Sequence, residues 1–189
     1  MGRFNVFTND YQLTKHRGFG KNSFTGQING YYTVITIEES RYSRNMYITI
    51  GASIEAPSLA TAVEEIKNNF RVSDVKVEEH TIQIHATPRV RTAKFKEQVT
   101  GIMKTVTAQL ESLSASSGCF ISGVNDDTIE LMKIDGEFTF LTSDAYEDLA
   151  NKFEAIHAKD ENKRGRLVLG LVGALIGSLL GAIIWGILL

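Results

Sequence analysis

The rhythm of apolar and polar positions changes several times along this chain. Residues 24–28 and 31–37 alternate, are rich in aromatic and β-branched side chains, and flank Asn29-Gly30. That dipeptide suits a type I′ turn, whose two central residues need positive φ, so the two runs predict a hairpin. Residues 45–53 predict a third strand, with Met46, Ile48 and Ile50 on one face and Tyr47, Thr49 and Gly51 on the other. The chain breaks at Pro57 and the spacing lengthens. Leu59, Ala62, Val63, Ile66 and Phe70 recur at helical intervals behind Ser58, which is placed to be the N-cap. Alternation returns at 75–79 and 81–86 as a second hairpin that Pro88 ends. A long helix over 92–113 then carries Phe95, Val99, Ile102, Val106, Leu110 and Leu113 as its stripe. A third hairpin, 129–134 and 137–141, turns at Asp135-Gly136. It leads into a helix whose Tyr146, Leu149, Phe153 and Ile156 are spaced to pack inward.

Runs of antiparallel strands separated by helices argue an α+β fold in which an antiparallel sheet packs on helices. The reading divides the chain into a lead (1–20), an α+β domain (21–115), a ribbon-like hairpin and helix (116–160), a basic linker (161–166) and a terminal segment (167–189). The element order over about 20–115 resembles the type III secretion chaperone-like fold, a curved antiparallel sheet on helices. What that resemblance implies is a binding or adaptor domain of bacterial type, and it does not bring secretion with it.

The terminal segment has no amphipathic period. Residues 167–189 carry no charge, and as a helix they span about 34 Å, enough for a hydrocarbon core of roughly 30 Å. This predicts a transmembrane helix. Lys163, Arg164 and Arg166 precede it, and positive flanks stay in the cytoplasm, so the N-terminal domain is expected on the cytosolic side of the cell membrane. Gly173, Gly177 and Gly181 form a row at intervals of four; Ala174, Ser178 and Ala182 form a parallel row. Such a glycine zipper lets a second helix come close, so a helix partner is expected, either another copy or a different membrane protein. The abrupt end after Trp185-Gly186 suggests relatives that continue into further spans. The opening residues have no apolar h-region, and Val6 stands where a myristoylation motif needs Ser or Thr, so neither a signal peptide nor that lipid is expected.

Composition adds limits. The 22 acidic and 20 basic residues leave a net charge of -2, which gives no general argument for nucleic acid, and no such partner is expected. The single cysteine, Cys119, excludes an internal disulfide. Cys119 also opens a pattern that resembles a zinc ribbon, CxxCG, hairpin, CxxC, helix. Here Ser122 takes the second position, and Thr142 and Ala145 take the third and fourth. Structural zinc needs four nitrogen or sulfur ligands, so a degenerate, metal-free ribbon is expected, with Thr142 or Ser143 capping the helix instead.

No constellation predicts catalysis or a cofactor. His80 and His85, five apart on a strand, fall on opposite faces; His16 and His157 stand apart from them. Cys119 has no neighbouring histidine pattern. The segment "GFGKNSFTG" lacks the phosphate-loop frame. One basic cluster, Arg89, Arg91, Lys94 and Lys96, sits at the start of the long helix, where the dipole disfavours cations. It is a candidate contact with an anionic membrane surface. Lys15, His16, Arg17 and Lys21 form a second. The expected function is a membrane-anchored cytosolic adaptor with a protein ligand and no enzymatic activity. The alternative is an oligomeric channel subunit gated by its domain, although Ser178 alone offers a hydroxyl to a pore. An enzyme is the least favoured reading.

Overall fold

The structure is a computed structural model that describes residues 4–18, 20–54 and 56–152 of the 189. The chain forms two compact units, Met1–Ala145 and Tyr146–Leu189. The first unit runs through positions 20 and 115, which the sequence suggests as boundaries. The terminal segment, with Gly173, Ala174, Gly177, Ser178, Gly181 and Ala182 and the flank Lys163, Arg164 and Arg166, lies outside the described residues. Among the described residues no helix is long and apolar enough to cross a membrane.

The fold is α+β. Six strands form one fully antiparallel sheet: β1 (Thr14–Gly18), β2 (Lys21–Ile28), β3 (Tyr31–Glu39), β4 (Arg44–Gly51), β5 (Val72–Val77) and β6 (Thr81–Ala86), in the order β1-β2-β3-β4-β6-β5. The β2–β3 turn is as the sequence predicts: Asn29 and Gly30 have φ of 51° and 83°, and Ile28 pairs with Tyr31. A side chain at every second position faces the core. Phe24, Ile35, Ile48, Ile84 and Val75 line up across five strands as one such row. Ile37, Met46 and Ala86 make the next.

Helices α1 (Ala60–Phe70) and α2 (Thr92–Ser112) supply the other half of the core. The expected stripe of α2 is buried from Phe95 to Leu110, and Met103 joins it; Leu113, just past the helix, is 38% exposed. Gln98 is buried among these apolar residues. Its Nε2 donates to the carbonyls of Phe70 and Thr87 (2.6 and 3.0 Å), and its Oε1 accepts the Arg89 N–H (2.9 Å). One side chain thus ties the end of α1, the exit from β6 and the helix α2 together.

Several elements differ from the expectations. Ser58 does not cap α1: Ala56–Leu59 form a 3-10 turn, Leu59 holds the cap position with no side-chain bond, and the Ser58 carbonyl instead accepts Gln109 Nε2 (3.2 Å). β5 begins at Val72 rather than 75, because Arg71 adopts a left-handed conformation (φ 55°) that ends α1 and turns the chain at once. The lead is no loose arm. Its residues 14–18 are the edge strand β1, and Val6, Phe7 and Leu13 are buried. Phe7 packs on Phe24 (ring centroids 4.5 Å apart) and edge-on to Phe95 (5.6 Å). Burying one such aromatic stabilises the fold by about 2–3 kcal/mol.

A separate hairpin, β7 (Glu130–Ile134) and β8 (Glu137–Leu141), turns through Asp135 and Gly136 with φ of 50° and 85°. Residues 143–152 are helical (α3). Thr142 caps this helix, its Oγ1 accepting the Ala145 N–H (3.3 Å), while Ser143 makes the first turn. Tyr146 is 46% exposed rather than packed inward, and Phe153 and Ile156 lie outside the described residues.

Candidate binding groove

The sheet face opposite α1 and α2 is polar, yet part of it is buried. Ser23, Thr36, Tyr47 and His85 form one cross-strand row; Thr25, Val34, Thr49 and Gln83 form the next. Ser23, Thr25, Val34 and Thr36 are nearly closed to solvent. Their hydroxyls bond within the face: Ser23 Oγ lies 3.2 Å from Thr36 Oγ1, and His16 Nε2 lies 2.8 Å from Thr25 Oγ1.

What covers them is the β7–β8 hairpin and the loop before it. Along β8, Phe138 packs on His16 (4.2 Å) and Phe140 on Tyr32 (4.8 Å). Glu137 pairs with Lys21, whose ammonium also lies 3.6 Å from Glu38. The loop is pinned by backbone bonds. Tyr32 N–H donates to Ser117 Oγ (2.9 Å), Ser53 N–H to the Ser116 carbonyl (3.2 Å), and Phe120 N–H to the Phe140 carbonyl (2.9 Å). Gly51 permits this approach: a Cβ there would meet the Gly118 carbonyl at 2.5 Å and the Phe120 ring at 2.8 Å. These hairpin contacts fall on β1, β2 and β3, while Tyr47 on β4 and Gln83 on β6 stay exposed.

A groove of about 490 Å³ lies along the boundary. Thr36, Tyr47, Thr49, Thr81 and Gln83 are among the residues of its polar side, and Val34, Phe120, Ile121 and Phe138 supply apolar surface. Tyr47 is 37% and Ile121 46% exposed, so apolar surface faces solvent here. Glu38 and Glu137 stand at one end and Glu78 at the other. Glu78 Oε2 accepts Thr81 Oγ1 (3.1 Å) and Gln83 Nε2 (3.4 Å). The volume falls in the range of small-ligand and peptide-side-chain pockets. Sequence reasoning marks none of these as site residues. The signal available to it is the outward threonine and tyrosine row of β3, β4 and β6, polar where a free sheet face would carry charges.

His16 sits at the covered margin. Burial beneath Phe138, and then the positive charge of Lys133, hold its pKa below the ordinary 6.5. Tyr31 donates its hydroxyl to the Ala115 carbonyl (3.1 Å); burial and then Glu111 push its pKa up.

The ribbon positions are close together. Cys119 is fully buried, its Sγ accepts the Ser122 N–H (3.4 Å), and the Gly123 N–H returns to the Cys119 carbonyl (2.9 Å). Burial raises the thiol pKa, but hydrogen bonds from the Ser122 side chain and from the N–H groups of Ser122, Ile121 and Thr142 outweigh it and lower it. Cys119, Ser122 and Thr142 therefore share one bonded cluster, with Ala145 next along the cap. Among the described residues no three His, Cys, Asp or Glu side chains come together as a metal site.

The other candidates are dispersed. His85 stacks flat on Tyr47 (4.7 Å, 8°) and lies 3.0 Å from Ser73 Oγ, while His80 sits in the turn before β6. In the basic cluster Lys94 pairs with Glu97 (2.8 Å) and Lys96 with Asp10 (2.7 Å). The Lys94 hydrogen bond and charge lower the Glu97 pKa, with Arg89 adding to them. Arg91 is exposed. Lys94 and Lys96 are therefore already matched by acids. No family model, curated protein or solved structure matches the chain.

Proposed function

We propose that this chain is a membrane-anchored, non-enzymatic adaptor that takes a partner into the groove between its sheet and the β7–β8 hairpin. The groove carries this reading. It is a pocket-sized depression with exposed Tyr47 and Ile121 at its surface and a floor of hydrogen-bonding side chains. The uncharged run 167–189 supports the anchor, and Lys163, Arg164 and Arg166 support a cytosolic domain. The Cys119 loop and its hairpin serve in this reading as a metal-free ribbon, holding one wall of the groove by hydrogen bonds where zinc ligands would otherwise do so.

The test uses the full chain in its membrane with a photoreactive residue at Ile121. The membranes are washed with carbonate at high pH and then illuminated. A chain that stays with the membrane and gives a crosslinked adduct, lost when Thr49→Arg fills the floor, supports the reading. Release by the wash overturns the anchor. Retention without an adduct overturns the groove as the binding surface.

A further inference from the structure

The shape and charge of the groove name the class of its occupant. Among the described residues thirteen line it; three are glutamates and none is Lys, Arg or His. Among the described residues Lys21 lies beside Glu38 and Glu137 and neutralises one of that pair, while Glu78 is held by Thr81 and Gln83 and makes no ion pair, Lys76 standing opposite Gln83 on the neighbouring β5. The ends are far apart. Glu38 pairs across the sheet with Asn45, and Thr81, which bonds Glu78, pairs with Gly51. Asn45 and Gly51 are six positions apart on β4, roughly 20 Å at about 3.3 Å per residue. Between them lie hydroxyl and amide groups below and the rings of Phe120 and Phe138 above.

We infer that the groove receives an extended basic segment of a partner protein, about six residues long, with a Lys or Arg side chain at each end. An extended peptide covers that length with its own rise per residue. Its terminal cations meet Glu78 at one end and the Glu38–Glu137 pair at the other. Its backbone finds donors and acceptors in Thr49 and Gln83, which are at least partly open to solvent on this face. The aromatic walls favour the alkyl stems and the cationic heads alike. An acidic segment would meet like charge at both ends. This inference rests on the adaptor reading and specifies the ligand of the same groove.

The probe is a fluorescein-labelled hexapeptide of alternating serine and alanine with lysine at both ends, titrated onto the full chain in detergent by fluorescence anisotropy. The comparison peptides carry glutamate or norleucine at those ends, and spermine is a competing small amine. The lysine peptide is expected to bind more than tenfold tighter than the glutamate peptide. Its affinity should fall with added salt and weaken about threefold in Glu78→Gln, the size of effect one exposed ion pair supports. Glu78→Gln keeps an acceptor for Thr81, and circular dichroism checks that it folds. Equal binding of all three peptides, or binding of none, overturns the inference. Binding of spermine without the peptide overturns it in favour of a small polyamine. If the lysine peptide fails while the Ile121 crosslink still forms, the adaptor reading stands and only the ligand class falls.

Discussion

At the scale of single residues, a polar side chain is accommodated in this apolar core where its polar atoms have partners. Among the described residues every buried side-chain nitrogen and oxygen has a partner. Gln98 shows why that matters. It is 2% exposed and satisfies two carbonyls and one N–H from three different segments. Gln98→Leu keeps most of the volume but removes the Gln98 bonds from those three backbone groups in a buried place. Each such group costs about 1–3 kcal/mol, less what water recovers, so the variant should lose about 3 kcal/mol. Gln109→Leu breaks a single bond to the Ser58 carbonyl and should lose about 1 kcal/mol. Urea denaturation of both measures the difference, and equal losses would show that the Gln98 bonds carry no special weight. A pattern-based reading has no means to find Gln98. On the α2 stripe it is a polar interruption, and only the tertiary neighbours show that it belongs inside.

At the scale of elements, sequence and structure agree where local chemistry decides alone. Asn29-Gly30 and Asp135-Gly136 need no tertiary help to turn, and both hairpins form about them. The strip from Phe95 to Leu110 is equally plain, because a single apolar face repeats for four turns. β1 is different. In sequence it is only part of a basic stretch within the lead, and its strand character comes from pairing along β2, with Lys15 opposite Phe24 and His16 opposite Ser23. Ser58 is a good cap by type and still fails, because the chain enters α1 through a 3-10 turn. The groove was illegible for a related reason. Its two sides, β3–β6 and the 116–141 segment, are far apart in sequence, and nothing in either announces the other. His16, on β1 beside the groove, joins the sheet to the hairpin, which gives that interface a pH signature. Its imidazole bonds Thr25 and lies under Phe138, with Lys133 on β7 adding positive charge. Because its folded pKa is below 6.5, the unfolded chain takes up a proton first as pH falls. Stability is therefore fully present above the ordinary value and is lost as pH falls from there through the folded pKa. Wild type should lose more stability than His16→Gln between pH 7.5 and 5.5 in urea titrations. Parallel losses would mean that His16 is free to charge in place.

At the scale of the whole molecule, the proposed adaptor reading raises one question for the compact unit Met1–Ala145 and the uncharged end of the chain: how a groove with weak local contacts would gain affinity. Exposed ion pairs contribute little singly. Copies held side by side in a membrane, however, raise the local concentration of grooves, and linked sites gain avidity without any new contact. The rows Gly173, Gly177, Gly181 and Ala174, Ser178, Ala182 would supply that proximity, because small side chains along one helix face let backbones approach and gain dispersion contacts that lipid cannot match. Gly177 is central to its row. On the helix that the sequence predicts, Gly177→Leu would place a branched side chain in the middle of that row, while Leu179→Ile, which belongs to neither small-residue row, would leave both unchanged. In a membrane self-association assay of the full chain, Gly177→Leu should lower the signal severalfold and Leu179→Ile should not. The same variant should weaken binding to a partner that carries two basic segments and leave binding to a single hexapeptide as it was. If Gly177→Leu associates like wild type, the contact lies elsewhere in the chain, and any avidity must come from the compact unit itself.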